Sequence, residues 1–142
     1  IRGMKDVFER LRPKLVTFRD ERKRELFDVP NAPRPHEDTP APVRFLPEYD
    51  NAALSHDDRS RIIAKEHHRK LVLKNLTVVG GFTVDGFISG TWRIEPKAKA
   101  PTMTLRPFWK LTKKETASVE AEGDSLFRFL APEATKRRFT YA

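Results

Sequence analysis

The segment LPEYDNAALSHDDRSRII, residues 46–63, concentrates three Asp, one Glu, one His and two Arg. Those side chains are the ingredients of acid–base chemistry, of a metal site, or of phosphate recognition. A functional reading selects Asp50, His56 and Arg59, aimed at a phosphate or a reacting sugar. The same residues also describe a turn followed by a capped helix. Ser55 is spaced to cap a helix beginning at His56, with Asp58 three residues later. Asp57 and Asp58 would then sit at the positive end of the helix dipole, with Ile62 and Ile63 on its buried side. A turn accounts for Asp50 and Asn51.

Other chemistries lack their residues. The chain has no Cys, which excludes disulfides, thiolate zinc and a Cys nucleophile. The histidines, His36, His56, His67 and His68, have no metal-ligand spacing of the H-E-x-x-H kind. No metal and no cofactor is expected. G-x-S-x-G is missing, and VGGFTVDG lacks both the Walker Lys and the Rossmann spacing. An enzyme using Asp50 as base with His56 as its orienter is the minor alternative, and no catalytic residue is assigned.

Charge gives the strongest positive signal. The 142 residues carry a net charge of +8, which points to an anionic partner, nucleic acid before membrane. Residues 59–74 hold Arg59, Arg61, Lys65, Arg69, Lys70 and Lys74 against one acid, Glu66. Residues 97–114 hold Lys97, Lys99, Arg106, Lys110, Lys113 and Lys114 with no acid, and they include Phe108 and Trp109. Cations track phosphates, and aromatic faces stack on bases. Trp92 and Trp109 are the aromatic candidates, against the plainer expectation that aromatics fill the core. The candidate DNA-contacting set is Asp50, His56, Arg59, Arg61, Lys65, Arg69, Lys70, Lys97, Lys99 and Lys110. No apolar run is long enough to cross a membrane as a helix, and no signal peptide is visible.

Elements must position these side chains. Met4, Val7, Phe8 and Leu11 fall on one helical face over residues 4–12, and Pro13 ends the helix. Short strands follow at 15–20 and 25–29, joined by the charged turn DERKR. A helix and two strands around a basic turn read either as the back half of a winged helix or as a generic α+β fragment. Residues 30–42 hold five of the eleven prolines and read as a linker. Beyond it, a strand is expected near Leu71–Leu73, and Asp85-Gly86 predicts a two-residue hairpin turn between 82–84 and 87–95. In the second arm Trp92 and Ile94 share one face, and Thr91, Arg93 and Glu95 share the other. Gly90 marks a bulge or a close approach. Residues 102–108 read as a strand with Met103 and Leu105 inward, residues 111–132 as a helix with a Thr112–Glu115 capping box, and residues 136–141 as a last strand. The expected fold class is α+β. It comprises the end of a winged-helix unit (1–29), the Pro-rich linker (30–42) and a small β-barrel-like domain (43–142) with one or two covering helices.

LRPKLVTFRDERKRELFDVPNAPRP, DTPAPVRFLPEYDNAALSHDDRSRII, VDGFISGTWRIE and LRPF, in that order, resemble the C-terminal part of a bacterial family. Its members are winged-helix DNA-binding proteins, common in actinobacteria, related to the AlkZ/YcaQ-type DNA glycosylases that remove alkylated purines and unhook interstrand crosslinks. The resemblance runs over nearly the whole chain, with FLPEYDN…LSHDDR its most specific part. It implies tandem winged-helix units followed by a β-barrel-like domain, with double-stranded DNA as partner, a cytoplasmic, nucleoid-associated location and a place in DNA repair. The glycosylases of the family carry a catalytic Gln-x-Gln motif, and this sequence has no Gln at all. The chain opens at Ile1 in mid-pattern and is expected to be a C-terminal fragment whose parent is either a glycosylase or a DNA-binding relative. The other expectation is a structural or protein-interaction domain that braces winged helices and has no DNA affinity of its own.

Overall fold

The computed structural model describes residues 3–95 and 100–142. Its internal contacts divide the chain into two units, Ile1–Thr39 and Pro40–Ala142.

The N-terminal unit opens with α1, Met4–Leu11, which runs into a single tighter turn at Arg12–Lys14. β1 (Val16–Arg19) and β2 (Glu25–Asp28) form an antiparallel hairpin. Asp20 closes its turn by accepting the backbone N–H groups of Arg22 and Arg24. Arg12 ties the helix to the hairpin. It donates to both carboxylate oxygens of Glu25, at 2.6 and 2.9 Å, and to Glu9. Arg12 thereby holds the Glu25 and Glu9 carboxyls below their usual pKa. Phe8 packs on Phe27 at 5.0 Å. The first part of the Pro-rich segment is strapped to this hairpin, since Arg34 pairs with Asp28 at 3.1 Å and lies 4.9 Å over the Phe18 ring. No described residue of this unit is buried.

The C-terminal unit is built on a five-stranded sheet ordered β3-β4-β5-β6-β7: Arg44–Leu46, Gly81–Val84, Phe87–Glu95, Thr102–Pro107 and Arg138–Tyr141. The first four strands run antiparallel, and β7 returns parallel to β6 after the long helix α4, Lys113–Leu130. Two short helices, α2 (Asn51–Leu54) and α3 (His68–Leu71), lie between β3 and β4. α3 is continuous with a tighter turn at Lys65–His67.

The expected barrel is corrected here: among the described residues the sheet is open, with β3 and β7 as its edges. β3 has three residues, and α4 supplies the cover on one face that closure would otherwise provide. That face buries Phe82, Met103, Leu105, Val119 and Phe127, with Trp92 and Ile94 packed against them. A second cluster, Ala53, Ile63, Leu71, Val78 and Ile88, holds the α2–α3 segment together.

A bulge in β5 assigns residues to these two clusters. Phe82 pairs with Gly90 but Thr83 pairs with Ile88, so Ser89 is the extra residue. The bulge reverses the alternation. Ile88 joins the second cluster, while Trp92 and Ile94 face the first. The hairpin turn has φ of 49° at Asp85 and 78° at Gly86, as a primed turn requires.

α4 begins with the expected capping box. Thr112 Oγ1 accepts the Glu115 N–H at 3.2 Å, and Glu115 Oε2 accepts the Thr112 N–H at 2.7 Å. The bond from the Thr112 backbone, then that involving its side chain, hold the Glu115 carboxyl below its usual range. A depressed folded pKa contributes stability above the unfolded value, about 4.3, and loses it as pH falls through the folded one. Glu115→Gln is therefore expected to lower the thermal midpoint at pH 7, with the difference from the parent shrinking below about pH 4. A difference constant across that range, measured by circular dichroism, would contradict the assignment.

Candidate nucleic-acid interface

Residues 46–63 do not fold as a helix from His56. Asp50, four residues after Leu46 ends β3, is the cap in place of Ser55: its Oδ1 accepts the Ala52 N–H at 2.7 Å and starts α2. Ser55 ends that helix. Asp58 instead closes a turn, accepting from both the N–H and the hydroxyl of Ser60. A second turn follows, with the Ile62 and Ile63 N–H groups bonded to the Arg59 carbonyl. Arg59 is half-buried and turned inward, donating to the Leu54 carbonyl at 3.2 Å and to His68 Nε2 at 2.6 Å. A guanidinium can only donate, so Nε2 accepts and the His68 proton sits on Nδ1. Asp50 and Arg59 thus brace the loop, and His56 stands exposed after α2.

The strand Leu71–Leu73 is also revised. Leu71 ends α3, its side chain is buried, and only Val72 makes a β-bridge, to Val78. Anchored by Leu71, the helical turn presents Lys65, Arg69 and Lys70 to solvent. Lys70 Nζ lies 5.1 Å over the ring of Phe108, a contact worth about 0.5–1 kcal/mol at an exposed site. The His67 ring packs 4.8 Å from Phe108 and 5.7 Å from Trp109. The two acid-poor runs, distant in sequence, therefore meet at this aromatic cluster.

A cleft of about 610 Å³ opens beside it on the sheet face away from α4. Thr91 and Arg93 of β5 stand across from Arg106 and Thr104 of β6, which puts two guanidiniums on one face, one diagonal step apart. Among the described residues neither Arg93 nor Arg106 makes an ion pair. With Lys70, the cleft holds three cations against Glu48 and Glu95. The sheet alternation already placed Arg93 on the face opposite Trp92 and Ile94, but neither Arg93 nor Arg106 stands in the candidate set read from the sequence. Density of charge along the chain does not reveal cations that converge across strands.

The other candidates divide. Arg61 is exposed on the loop after α2, and Lys110 on the segment entering α4. Lys97 and Lys99 lie outside the described residues. Trp92 is first a structural residue. Its Nε1 donates to the Leu46 carbonyl at 2.8 Å, and its ring meets Phe45 edge-on at 5.5 Å, joining β3 to β5. Trp109 is exposed, on a second, smaller cleft with Tyr141. Partial desolvation of the hydroxyl, then the Glu120 carboxylate that accepts it at 2.9 Å, raise the Tyr141 phenol above its ordinary pKa. Among the described residues no helix is long and apolar enough to cross a membrane.

An α+β unit with an open sheet and a basic, aromatic-lined cleft is the architecture to be placed among known proteins. Over residues 1–129 the chain matches the family model described as DNA glycosylase AlkZ-like, and it belongs to that family. In fold it is similar to the Streptomyces sahachiroi DNA glycosylase AlkZ, with a TM-score of 0.68 and 17% identity over 97% of this chain. The match covers 36% of the AlkZ chain, so the present chain spans little more than a third of that length. No curated protein matches it.

Proposed function

We propose that this chain is a duplex-DNA-binding module of an AlkZ-like repair protein, acting at the nucleoid. Residues 1–29 are read as the end of a winged-helix unit, 30–42 as its linker and 43–142 as the sheet domain that grips the backbone. The observation that carries this reading is the convergence of the two acid-poor runs on one cleft, with Lys70 over Phe108 at 5.1 Å. Lys70, Arg93 and Arg106 would contact phosphates, with Lys65, Arg69 and Lys110 extending the track. Asp50 and Arg59 shape the surface by holding the α2 loop. No catalytic role is assigned to them, and the sequence contains no Gln to form the family's Gln-x-Gln motif. Base excision by the whole protein would be the work of residues outside these. The test is duplex binding by the 142-residue chain across a salt series, where phosphate-dominated affinity falls steeply.

One observation favours the bracing role for the N-terminal unit. Met4, Val7, Phe8 and Leu11 of α1 all remain exposed, an apolar stripe of the kind that marks an interaction surface. A chain that ignores DNA and self-associates in sedimentation would establish that role in place of DNA binding.

A further inference from the structure

We propose that the cleft between Trp109 and Tyr141 holds an unpaired nucleobase of bound DNA. The inference rests on the DNA-binding reading above and gives it a preference for a particular DNA structure. The cleft measures about 340 Å³ and is lined by Pro107, Trp109, Lys110, Leu111, Thr116 and Tyr141. That is near the lower end of roughly 300–1,000 Å³ for ligand sites, and suits one base rather than a base pair.

Both aromatic rings are exposed, Trp109 to 43% and Tyr141 to 46%, beside a core whose large side chains are fully buried. Each ring is also held from a side other than the cleft. Trp109 packs on His67 at 5.7 Å. Tyr141 is fixed by its hydroxyl bond to Glu120 and by its place in β7 opposite Leu105. Two ordered aromatic walls lose little entropy on receiving a planar ligand. Pro107 and Leu111 supply an apolar lining. Lys110 stands in the cleft, with Lys113 and Lys114 in the first turn of α4, so the flanking phosphates of a base seated there would meet cations. Thr116 offers a hydroxyl to the base edge. Within a duplex a base hides its faces in the stack, and an aromatic wall can engage them only after unstacking. The fitting ligand is therefore DNA with a bulged or otherwise unpaired nucleotide.

The test uses the 142-residue chain, a fully paired duplex, and the same duplex carrying one bulged adenine. Binding is read by fluorescence polarisation at low salt. The bulged duplex is expected to bind about tenfold tighter, the size of one base–aromatic stack. Trp109→Ala is expected to bring the two affinities within about twofold by weakening the bulged duplex selectively, and Trp109→Phe to keep most of the preference. The phenylalanine variant separates loss of the stack from loss of fold. Equal affinities in the parent chain overturn this inference and leave the paired-duplex reading standing. A preference that survives Trp109→Ala also overturns it. Failure to bind either duplex overturns both.

Discussion

Replacing Lys70, Arg93 and Arg106 together by Glu is expected to weaken duplex binding on the order of 100-fold at low salt. The three side chains line one cleft and come from α3, β5 and β6, so no single segment of sequence predicts their cooperation. Each contact with phosphate contributes to the counterions released on binding, so the variant should also lose about three units of salt slope. All three are solvent-exposed, and surface substitutions of this kind usually change stability by less than about 0.5 kcal/mol each. Thermal unfolding should therefore stay near that of the parent while binding falls. An unchanged duplex affinity with intact folding would remove the cleft from the interface.

Gly90→Ala is expected to be the most damaging conservative change to the fold, about 3 kcal/mol or more. An added Cβ would stand 2.3 and 2.4 Å from two atoms of the Phe82 ring and 2.7 Å from the Arg106 carbonyl oxygen. Neither neighbour can yield cheaply: the ring is completely buried in the main core, and the carbonyl belongs to the β6 backbone. Relief would require undoing the bulge, and the bulge is what turns Thr91, Arg93 and Glu95 toward the cleft. Gly86→Ala offers a contrast. There the nearest atom is Ala41 Cβ at 3.5 Å, and the strain is confined to a φ of 78°; it should cost about 1–2 kcal/mol. Urea unfolding midpoints measure both, and equal midpoints for the two variants would refute the packing account.

Much of this fold is legible where short-range rules act alone. Asp85-Gly86, the Thr112–Glu115 box and the inward Met103 and Leu105 each depend on neighbours within a few residues, and the structure has them as expected. The β1–β2 hairpin and α1 follow from the same kind of signal. Harder to read was the choice among competing caps. Asp50 and Ser55 both satisfy cap chemistry, and the turn after α2 is held by Arg59, which bonds the Leu54 carbonyl and reaches His68 of α3. Gly90 announces a bulge or close approach, but not that Ile88 then leaves the face of Trp92 for the other cluster. Strands around a late helix fit a small barrel or a strongly curved sheet with helical cover, and the family resemblance favours the barrel; the sheet is open, with a short β3 and the α4 cover.

The candidate site shows the same division. Charge density singled out residues 59–74 and 97–114, and the structure joins them through Lys70 and Phe108. What density could not show is which cations point into a common cleft. Arg93 is isolated in sequence, and it earns its place only through the β5–β6 register. Trp109 and Tyr141 are brought together by the parallel return of β7 after α4, a contact no local pattern encodes.

The most direct test of the central claim is the salt dependence of duplex binding by the unmodified 142-residue chain. The three cations of the cleft alone predict a slope of log affinity against log salt of about −2.7, or roughly a 40-fold loss between about 50 and 200 mM monovalent salt, and contacts from Lys65, Arg69 and Lys110 would steepen it. A slope of that size, reduced by the Lys70/Arg93/Arg106 charge reversal, is the predicted result. A chain with no measurable affinity for duplex DNA at the lowest salt, or one whose affinity is indifferent to salt, would contradict it.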